Sequence, residues 1–516
     1  MKKSHVNLAI LCLTFLLVGG YGCQEEASRD QAAGPDRPNI VIILADDLGW
    51  GDVRAYNPDS KIPTPHMDSL AGQGMRFTDA HSSASVCSPT RYGLMTGRYS
   101  WRTRLKRGVL WPPAKPLIDS SRTTIASLLQ QAGYYTSIVG KWHLGLDWVK
   151  VNKDSIDYNQ PLKDGPNDHG FDESFIFAGS ADMKPYTYIE NGRVTQKPTG
   201  WAPGGRFGQA GPSIPGLRPE DIMPRFTQRA KWSIDQHAKK RSDRPLFLYF
   251  PLTAPHKPVA PSEKFQGKTD LGDYGDFVYQ VDWTVGQVID RLKKHDMFKN
   301  TLLIVTSDNG TSPNAAEQAI EMGHDANGPW RGLKAQIWEG GHRVPFIATW
   351  LGQITPDTVS SERISLVDFM ATFAALTDQQ LGAADGVDSY NILPVLQGKS
   401  YKKPIRNGTV VRSGGGCLGM LQDNWKIANC PGSGSGWSGS PTTGEAKEMG
   451  LPPVQLYKLS ADTGESENLQ AQRPEKVKQL RQTLSRYIDQ GRSTPGPKQQ
   501  NWKGKSTWRW IEGWKN

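Results

Sequence analysis

Five short apolar runs set the frame of this chain: residues 40–44, 135–139, 246–250, 302–305 and 346–350. Each is long enough for a buried strand and too short to cross a membrane as a helix. Amphipathic stretches lie between them. Thr123 and Thr124 stand where a helix cap belongs. Ile125, Leu128, Leu129 and Ala132 follow at helical spacing, and Gly133 gives a stop. Residues 279–292 place Val281, Val285, Val288, Ile289 and Leu292 on one helical face. Strands alternating with helices predict an α/β fold with a mostly parallel central sheet covered on both faces.

The pattern changes near residue 400. Residues 423–428 and 456–459 read as short strands, and residues 474–488 as a helix with Val477, Leu480, Leu484 and Ile488 on one stripe. A smaller C-terminal α+β subdomain with a short antiparallel sheet is expected there. A chain of 516 residues with 54 Gly and 36 Pro fits one large domain, a smaller one and many irregular loops. The expected division is residues 1–22, 23–37, 38–400 and 401–516. Trp502, Trp508, Trp510 and Trp514 could stack on sugars, but packing back onto the body is the expected role.

Residues 1–22 read as a signal peptide: Lys2 and Lys3 precede an apolar stretch at residues 8–18. Export follows, to the periplasm, the cell surface or the medium. Cys23 stands ahead of the polar linker, residues 24–36. Lipidation at Cys23 is the expected fate, giving attachment by a lipid anchor alone. Gly20 and Tyr21 match a lipobox poorly, and plain secretion is the alternative. Cys12 leaves with the signal peptide. Cys417 and Cys430 lie close together in a Gly-rich stretch of an exported chain, where a disulfide is expected. Cys87 has no obvious partner, which in an exported protein asks for an explanation. The formal charge of +10 favours anionic partners, with general solubility as the plain alternative. No nucleic-acid motif or concentrated Lys/Arg block accompanies it, so nucleic acid is not expected.

Polar groups able to do chemistry follow the apolar runs closely. Asp46-Asp47 ends the first, Gly140-Lys141-Trp142-His143 follows the second, Ala254-Pro255-His256 the third, and Asp308-Asn309 the fourth. One such ending is often only a turn or a cap. Four at the carboxyl edge of one sheet define a site. Asp46, Asp47, Asp308 and Asn309 make an oxygen-only set. Adjacent carboxylates repel in a buried pocket unless a cation holds them. Hard oxygen donors fit Ca²⁺ first and Mg²⁺ second, and suit Zn²⁺ less well.

The segment Cys87-Ser-Pro-Thr-Arg-Tyr-Gly-Leu-Met-Thr-Gly-Arg98 resembles the signature of the type I, formylglycine-dependent sulfatases. Further blocks resemble that family in the expected order: Asp46-Asp47, residues 140–145, Ala254-Pro255-His256, residues 307–310, Arg331-Gly-Leu-Lys334, and residues 339–345. The resemblance runs from about residue 38 to the C-terminal helix. It is nearest to carbohydrate-acting branches, N-acetylgalactosamine-6-sulfatase-like or arylsulfatase-like. It implies an alkaline-phosphatase-like α/β sandwich and hydrolysis of sulfate esters, with a sulfated glycosaminoglycan or an algal polysaccharide such as ulvan as substrate. It also implies that a formylglycine-generating enzyme oxidises Cys87, which then serves as nucleophile and metal ligand. Arg91 would hold the modified residue, Lys141 and Lys334 the sulfuryl oxygens, and Ser180 the sulfate. His143 would act as a base on the modified residue. His256, with Lys334, would bind sulfate and protonate the leaving oxygen. Glu339 and Arg343 are expected to shape their loop. Local chemistry agrees at Cys87, because Pro89 can start a helix there and a helix N-terminus favours an anion.

Three rivals remain at this stage. A phosphatase or phosphodiesterase of the same fold would present a Ser or Thr and two transition metals with histidine ligands. An unmodified thiol hydrolase has no need of the carboxylate cluster. A non-catalytic glycan-binding lipoprotein has no need of the full set of Cys87, Arg91, Lys141, His143 and His256.

Overall fold

The computed structural model describes residues 37–503 apart from 154, 206, 207, 438 and 439. Cys12, Cys23, Trp508, Trp510 and Trp514 lie outside these residues.

A ten-stranded sheet forms the centre. Its strands, in chain order, are β1 (Asn39–Asp46), β2 (Met75–Phe77), β3 (Tyr135–Lys141), β4 (Glu173–Phe177), β5 (Ile189–Glu190), β6 (Arg193–Val194), β7 (Leu246–Pro255), β8 (Thr301–Ser307), β9 (Phe346–Thr349) and β10 (Thr358–Ser360). Their order across the sheet is β10-β2-β9-β8-β1-β7-β3-β4-β5-β6. The central five, β8-β1-β7-β3-β4, are all parallel, with Ile40 opposite both Leu302 and Phe247. The sequence order of the apolar runs therefore becomes a fan of strand ends at one edge.

The sheet is covered on both faces, as its strands require. Alternate residues of β1 enter two different cores: Ile40, Ile42 and Leu44 join one, Val41, Ile43 and Ala45 the other. One cover is the helix Ile125–Gln131. Thr124 accepts a bond from the Ser127 amide, and the Ser127 hydroxyl accepts one from the Thr124 amide. The opposite cover includes the helix Gly272–Lys294, longer at both ends than its apolar stripe. It buries Val281, Val285, Val288, Ile289 and Leu292.

Two expectations need correction. The run at residues 346–350 forms a strand, but β9 is antiparallel to β8. Residues 308–345 stay at the carboxyl edge and re-enter the sheet from there, so the strand runs back down. The strand Glu173–Phe177 was not anticipated. Glu173 and Ser174 leave only a short apolar run, residues 175–177, and β4 shows itself by its parallel pairing with β3 and its antiparallel pairing with β5.

Beyond residue 400 a four-stranded antiparallel sheet forms: β11 (Thr409–Arg412), β12 (Leu418–Gln422), β13 (Trp425–Ala428) and β14 (Gln455–Lys458). The helix Pro474–Gln490 lays Leu480, Leu484 and Ile488 into a core with Val410, Met420, Ile427 and Leu456. Cys417 and Cys430 are joined in a disulfide, as expected. The Trp502 amide bonds to the Arg102 carbonyl at 2.8 Å, which ties this end of the chain to the body. No helix among the described residues is long and apolar enough to cross a membrane.

Candidate active site

The four strand endings meet. Asp46 closes β1, Lys141 closes β3, His256 directly follows β7, and Asp308 directly follows β8. The turns they occupy demand unusual backbone. Asp47 has φ of 71°, His143 57° and Ala335, next to Lys334, 72°. Left-handed conformations at non-glycine residues cost energy and collect where function holds them. Gly310 shows why a side chain is excluded beside Asn309: a Cβ there would stand 1.8 Å from the Gly340 carbonyl oxygen.

Cys87 is the first residue of the helix Cys87–Thr96, with Val86 as its cap residue. The helix thus begins two residues before Pro89, a small correction that places residue 87 at the N-terminus itself. The thiol lies 3.6 Å from Asp46 Oδ1. Burial pushes it up to about 12, with Lys141 and Lys334 pulling the other way. A thiol held protonated at neutral pH is a poor nucleophile, which counts against the thiol-hydrolase rival.

A charge lattice surrounds it. Lys141 Nζ donates to both oxygens of Asp46 at 2.8 Å. Lys334 Nζ donates to Asp47 Oδ2 at 2.7 Å. Arg91 donates to Asp308 Oδ2 through Nε at 2.9 Å and Nη2 at 2.7 Å, and through Nη1 to the Lys141 carbonyl at 3.0 Å. Arg91, Lys141 and the three carboxylates are wholly buried or within 1% of it. Burial drives Asp46 upward, but Lys141, His256, Arg91 and Lys334 together hold it well below the usual carboxylate range. Burial pushes Asp308 up to about 6, with Arg91 opposing and Asp46 reinforcing the rise. Asp47 keeps Lys334 charged against its burial.

Each histidine is held in one orientation. His143 Nε2 donates to the Leu110 carbonyl at 2.7 Å, which leaves Nδ1 buried with no hydrogen-bond partner. Burial, then Lys141 and Arg91, keep this imidazole well below its ordinary pKa and neutral. A neutral ring with a free nitrogen can accept a proton. His256 Nδ1 donates to the Lys257 carbonyl at 2.6 Å, and Nε2 lies 3.7 Å from Asp47 Oδ2. Ser180 is buried, and its hydroxyl has no partner.

The residues could hold a metal ion. One donor atom each from Asp46, Asp47, Cys87 and His256 lies within 4.8 Å of the others. Asp308 joins them through the Asp47 amide at 3.3 Å, and Asn309 through its own amide, which donates to Asp47 Oδ1 at 2.7 Å. Asn309 Oδ1 is buried without a partner. Such an orphaned oxygen calls for an explanation, and a coordinated ion gives one. Charge balance alone does not demand an ion, because Arg91, Lys141 and Lys334 already match Asp46, Asp47 and Asp308.

Glu339 and Arg343 build a separate buried network. Arg343 Nε donates to Glu339 at 2.8 Å, and Lys426 of β13 sits 3.0 Å from Glu339 and 2.9 Å from Glu465. Two features had no signal in the apolar and motif patterns. Leu110 holds the site through its backbone, accepting from His143 and donating to Ser88 Oγ at 3.1 Å. Asp182, two residues past Ser180, lies 3.6 Å from Lys257 Nζ.

Buried lysines and an arginine around a helix start suit the binding of an anionic group. The family model for sulfatases matches residues 38–379, and the chain belongs to that family. An N-acetylgalactosamine-6-O-sulfatase of Bacteroides thetaiotaomicron is 33% identical, over 90% of this chain and 95% of the relative. The human N-acetylgalactosamine-6-sulfatase is also 33% identical, over 72% of this chain and 69% of its own length. A solved structure from work on glycosaminoglycan metabolism by Bacteroides thetaiotaomicron superposes with a TM-score of 0.76 at 32% identity, covering 88% of this chain and 99% of that one. A structure solved in complex with its substrate D-glucosamine-2-N,6-O-disulfate, at 17% identity and a TM-score of 0.59 over 88% and 98% of the two chains, shares the fold.

Proposed function

We propose that the protein removes sulfate esters from a sulfated polysaccharide or its oligosaccharides, of glycosaminoglycan or algal type. The observation that carries this reading is the cysteine at the helix start, walled by Lys141 and Lys334 and by an oxygen-rich pocket with an unpartnered Asn309 oxygen. The names of the relatives support a sugar sulfate as the substrate. Export and a lipid anchor at Cys23 remain part of the proposal, since scavenging from polysaccharide needs the enzyme outside the cytoplasm.

Oxidation of Cys87 by a maturing enzyme would give a formylglycine whose hydrate supplies one hydroxyl to take the sulfuryl group and a second to release it. Asp46, Asp47, Asp308 and Asn309, with residue 87, would hold a Ca²⁺ or Mg²⁺ ion, which supplies Lewis acidity toward sulfate oxygens. The remaining work falls to side chains already in place. Lys141 and Lys334 neutralise charge on the sulfuryl oxygens. Arg91, locked on Asp308, positions residue 87. His143 takes a proton at Nδ1 from the second hydroxyl. His256 Nε2, with Lys334, delivers a proton to the leaving sugar oxygen. Ser180 offers its free hydroxyl to the sulfate.

Metal removal tests this reading. Thoroughly chelated enzyme is expected to lose at least about a hundredfold in activity against sulfated oligosaccharides. Ca²⁺ or Mg²⁺ should restore it better than Zn²⁺. The measurement is sulfate release across a panel of glycosaminoglycan and ulvan oligosaccharides. Full turnover after chelation, checked by elemental analysis, would remove the ion from the proposal.

A further inference from the structure

Beside the site the chain carries a half-exposed aromatic side chain. Trp111 is 49% exposed, and its ring has no aromatic or cationic partner among the described residues. A single exposed indole is ordinary on a protein surface, so its position must carry the argument.

Its backbone is fixed by the catalytic centre. The residue before it, Leu110, donates its amide to Ser88 Oγ at 3.1 Å, one residue from Cys87. The Leu110 carbonyl accepts from His143 at 2.7 Å. On the other side Pro112 and Pro113 have φ set by their rings. Pro112 packs on Gly179, where an added Cβ would meet its ring at 3.0 Å, and Gly179 precedes Ser180. Leu110, Pro112, His143 and Ala178 line one small cavity together. Trp111 is therefore clamped between the groups that carry His143, residue 87 and Ser180. Consecutive Cα atoms are about 3.8 Å apart, so the Trp111 Cα stands about that far from the Leu110 Cα. The Trp111 backbone is thus one residue from the amide and carbonyl that hold Ser88 and His143.

Trp232 lacks this setting and serves as a comparison. Trp232, 42% exposed, lies on the helix Pro219–Lys240 with the Arg229 guanidinium 3.9 Å over its ring.

We propose that Trp111 is a sugar-binding platform at the mouth of the site and stacks on a pyranose ring of the sulfated substrate. This rests on the reading of the protein as a carbohydrate sulfatase. The apolar face of a pyranose suits a flat, polarisable indole, while its hydroxyls stay free for the polar rim. The contact is remote from the sulfur and is made equally in ground and transition states, so it acts mainly on KM.

The test uses the matured, metal-loaded full chain with Trp111→Ala, Trp111→Phe and, as a control, Trp232→Ala. Each is assayed on 4-nitrophenyl sulfate and on N-acetylgalactosamine 6-sulfate. Should wild type leave that sugar untouched, the sulfated oligosaccharide it turns over fastest in the panel replaces it. Trp111→Ala is expected to lower kcat/KM on the sugar about tenfold, mostly through KM. On the aryl sulfate it should lose less than about threefold, with an unchanged melting temperature. Trp111→Phe should recover most of the loss, because another ring can stack, and Trp232→Ala should match wild type on both substrates. Equal losses on both substrates, or none on the sugar, would overturn the platform while leaving the sulfatase reading intact. A wild-type enzyme that cleaves the aryl sulfate and no sulfated sugar would overturn the carbohydrate reading, and the platform with it.

Discussion

Cys87→Ser, verified to remain serine, is expected to lose turnover by about a thousandfold or more while still binding sulfated substrate. A serine hydroxyl occupies nearly the place of the thiol, 3.6 Å from Asp46. Lys141, Lys334 and the helix start would still meet the sulfuryl oxygens, so binding survives better than turnover. Serine brings a single oxygen. Once that oxygen carries sulfate, no neighbouring hydroxyl can push it off, and release depends on water. His143 Nδ1, the free base, would have no second hydroxyl to act on. At most one slow event per enzyme is expected, leaving sulfate on residue 87. Steady-state sulfate release together with intact-peptide mass distinguishes the cases. Near wild-type turnover by a verified serine enzyme would show that one hydroxyl is enough.

Arg91→Met is expected to abolish activity and to destabilise the metal-free protein by about 3–5 kcal/mol, the cost of leaving one member of a buried ion pair alone. Three of the Arg91 nitrogens donate hydrogen bonds, two to Asp308 and one to the Lys141 carbonyl. Methionine fills similar volume but satisfies none of these acceptors. Arg91→Lys should fail nearly as badly, because one ammonium cannot reproduce a planar fork. The deficit should depend on pH. Burial already pushes Asp308 up to about 6 against the pull of Arg91. Without that arginine its folded pKa rises further above the unfolded value, so the variant loses stability as pH rises through the interval above about 6. Below that, Asp308 is protonated in both proteins and the gap stays at its minimum. Denaturant midpoints of chelated wild type and variant at about pH 5 and about pH 8, on either side of that value, provide the measurement. A gap that is flat or shrinks with pH would show that Asp308 does not carry the penalty.

The legible parts of this molecule are those in which side-chain type carries the information. The apolar runs around Val41, Leu248 and Leu303 had to be buried strands, and their polar endings had to share an edge once the strands were parallel. The Cys87 segment and the strand-end acids mark the centre by residue type alone. Strand direction was less legible. Residues 346–349 read as a strand either way, and only the return of the chain from the carboxyl edge makes β9 antiparallel. Contacts made by backbone atoms left no trace. Any residue but proline at position 110 offers the amide and carbonyl that hold Ser88 and His143. Charge balance was also invisible from spacing alone. Lys334, far along the chain from Asp47, is what makes adjacent acids tolerable in a buried pocket before any ion is counted.

The chemistry at residue 87 decides between this mechanism and every rival on the same fold. The direct measurement is the mass of the peptide spanning residues 87–98 from enzyme expressed with a sulfatase-maturing activity, taken alongside turnover of a sulfated oligosaccharide. Conversion of the cysteine to an aldehyde, with activity rising in proportion to the converted fraction, is the expected result. Full turnover by protein whose residue 87 remains an intact thiol would contradict it.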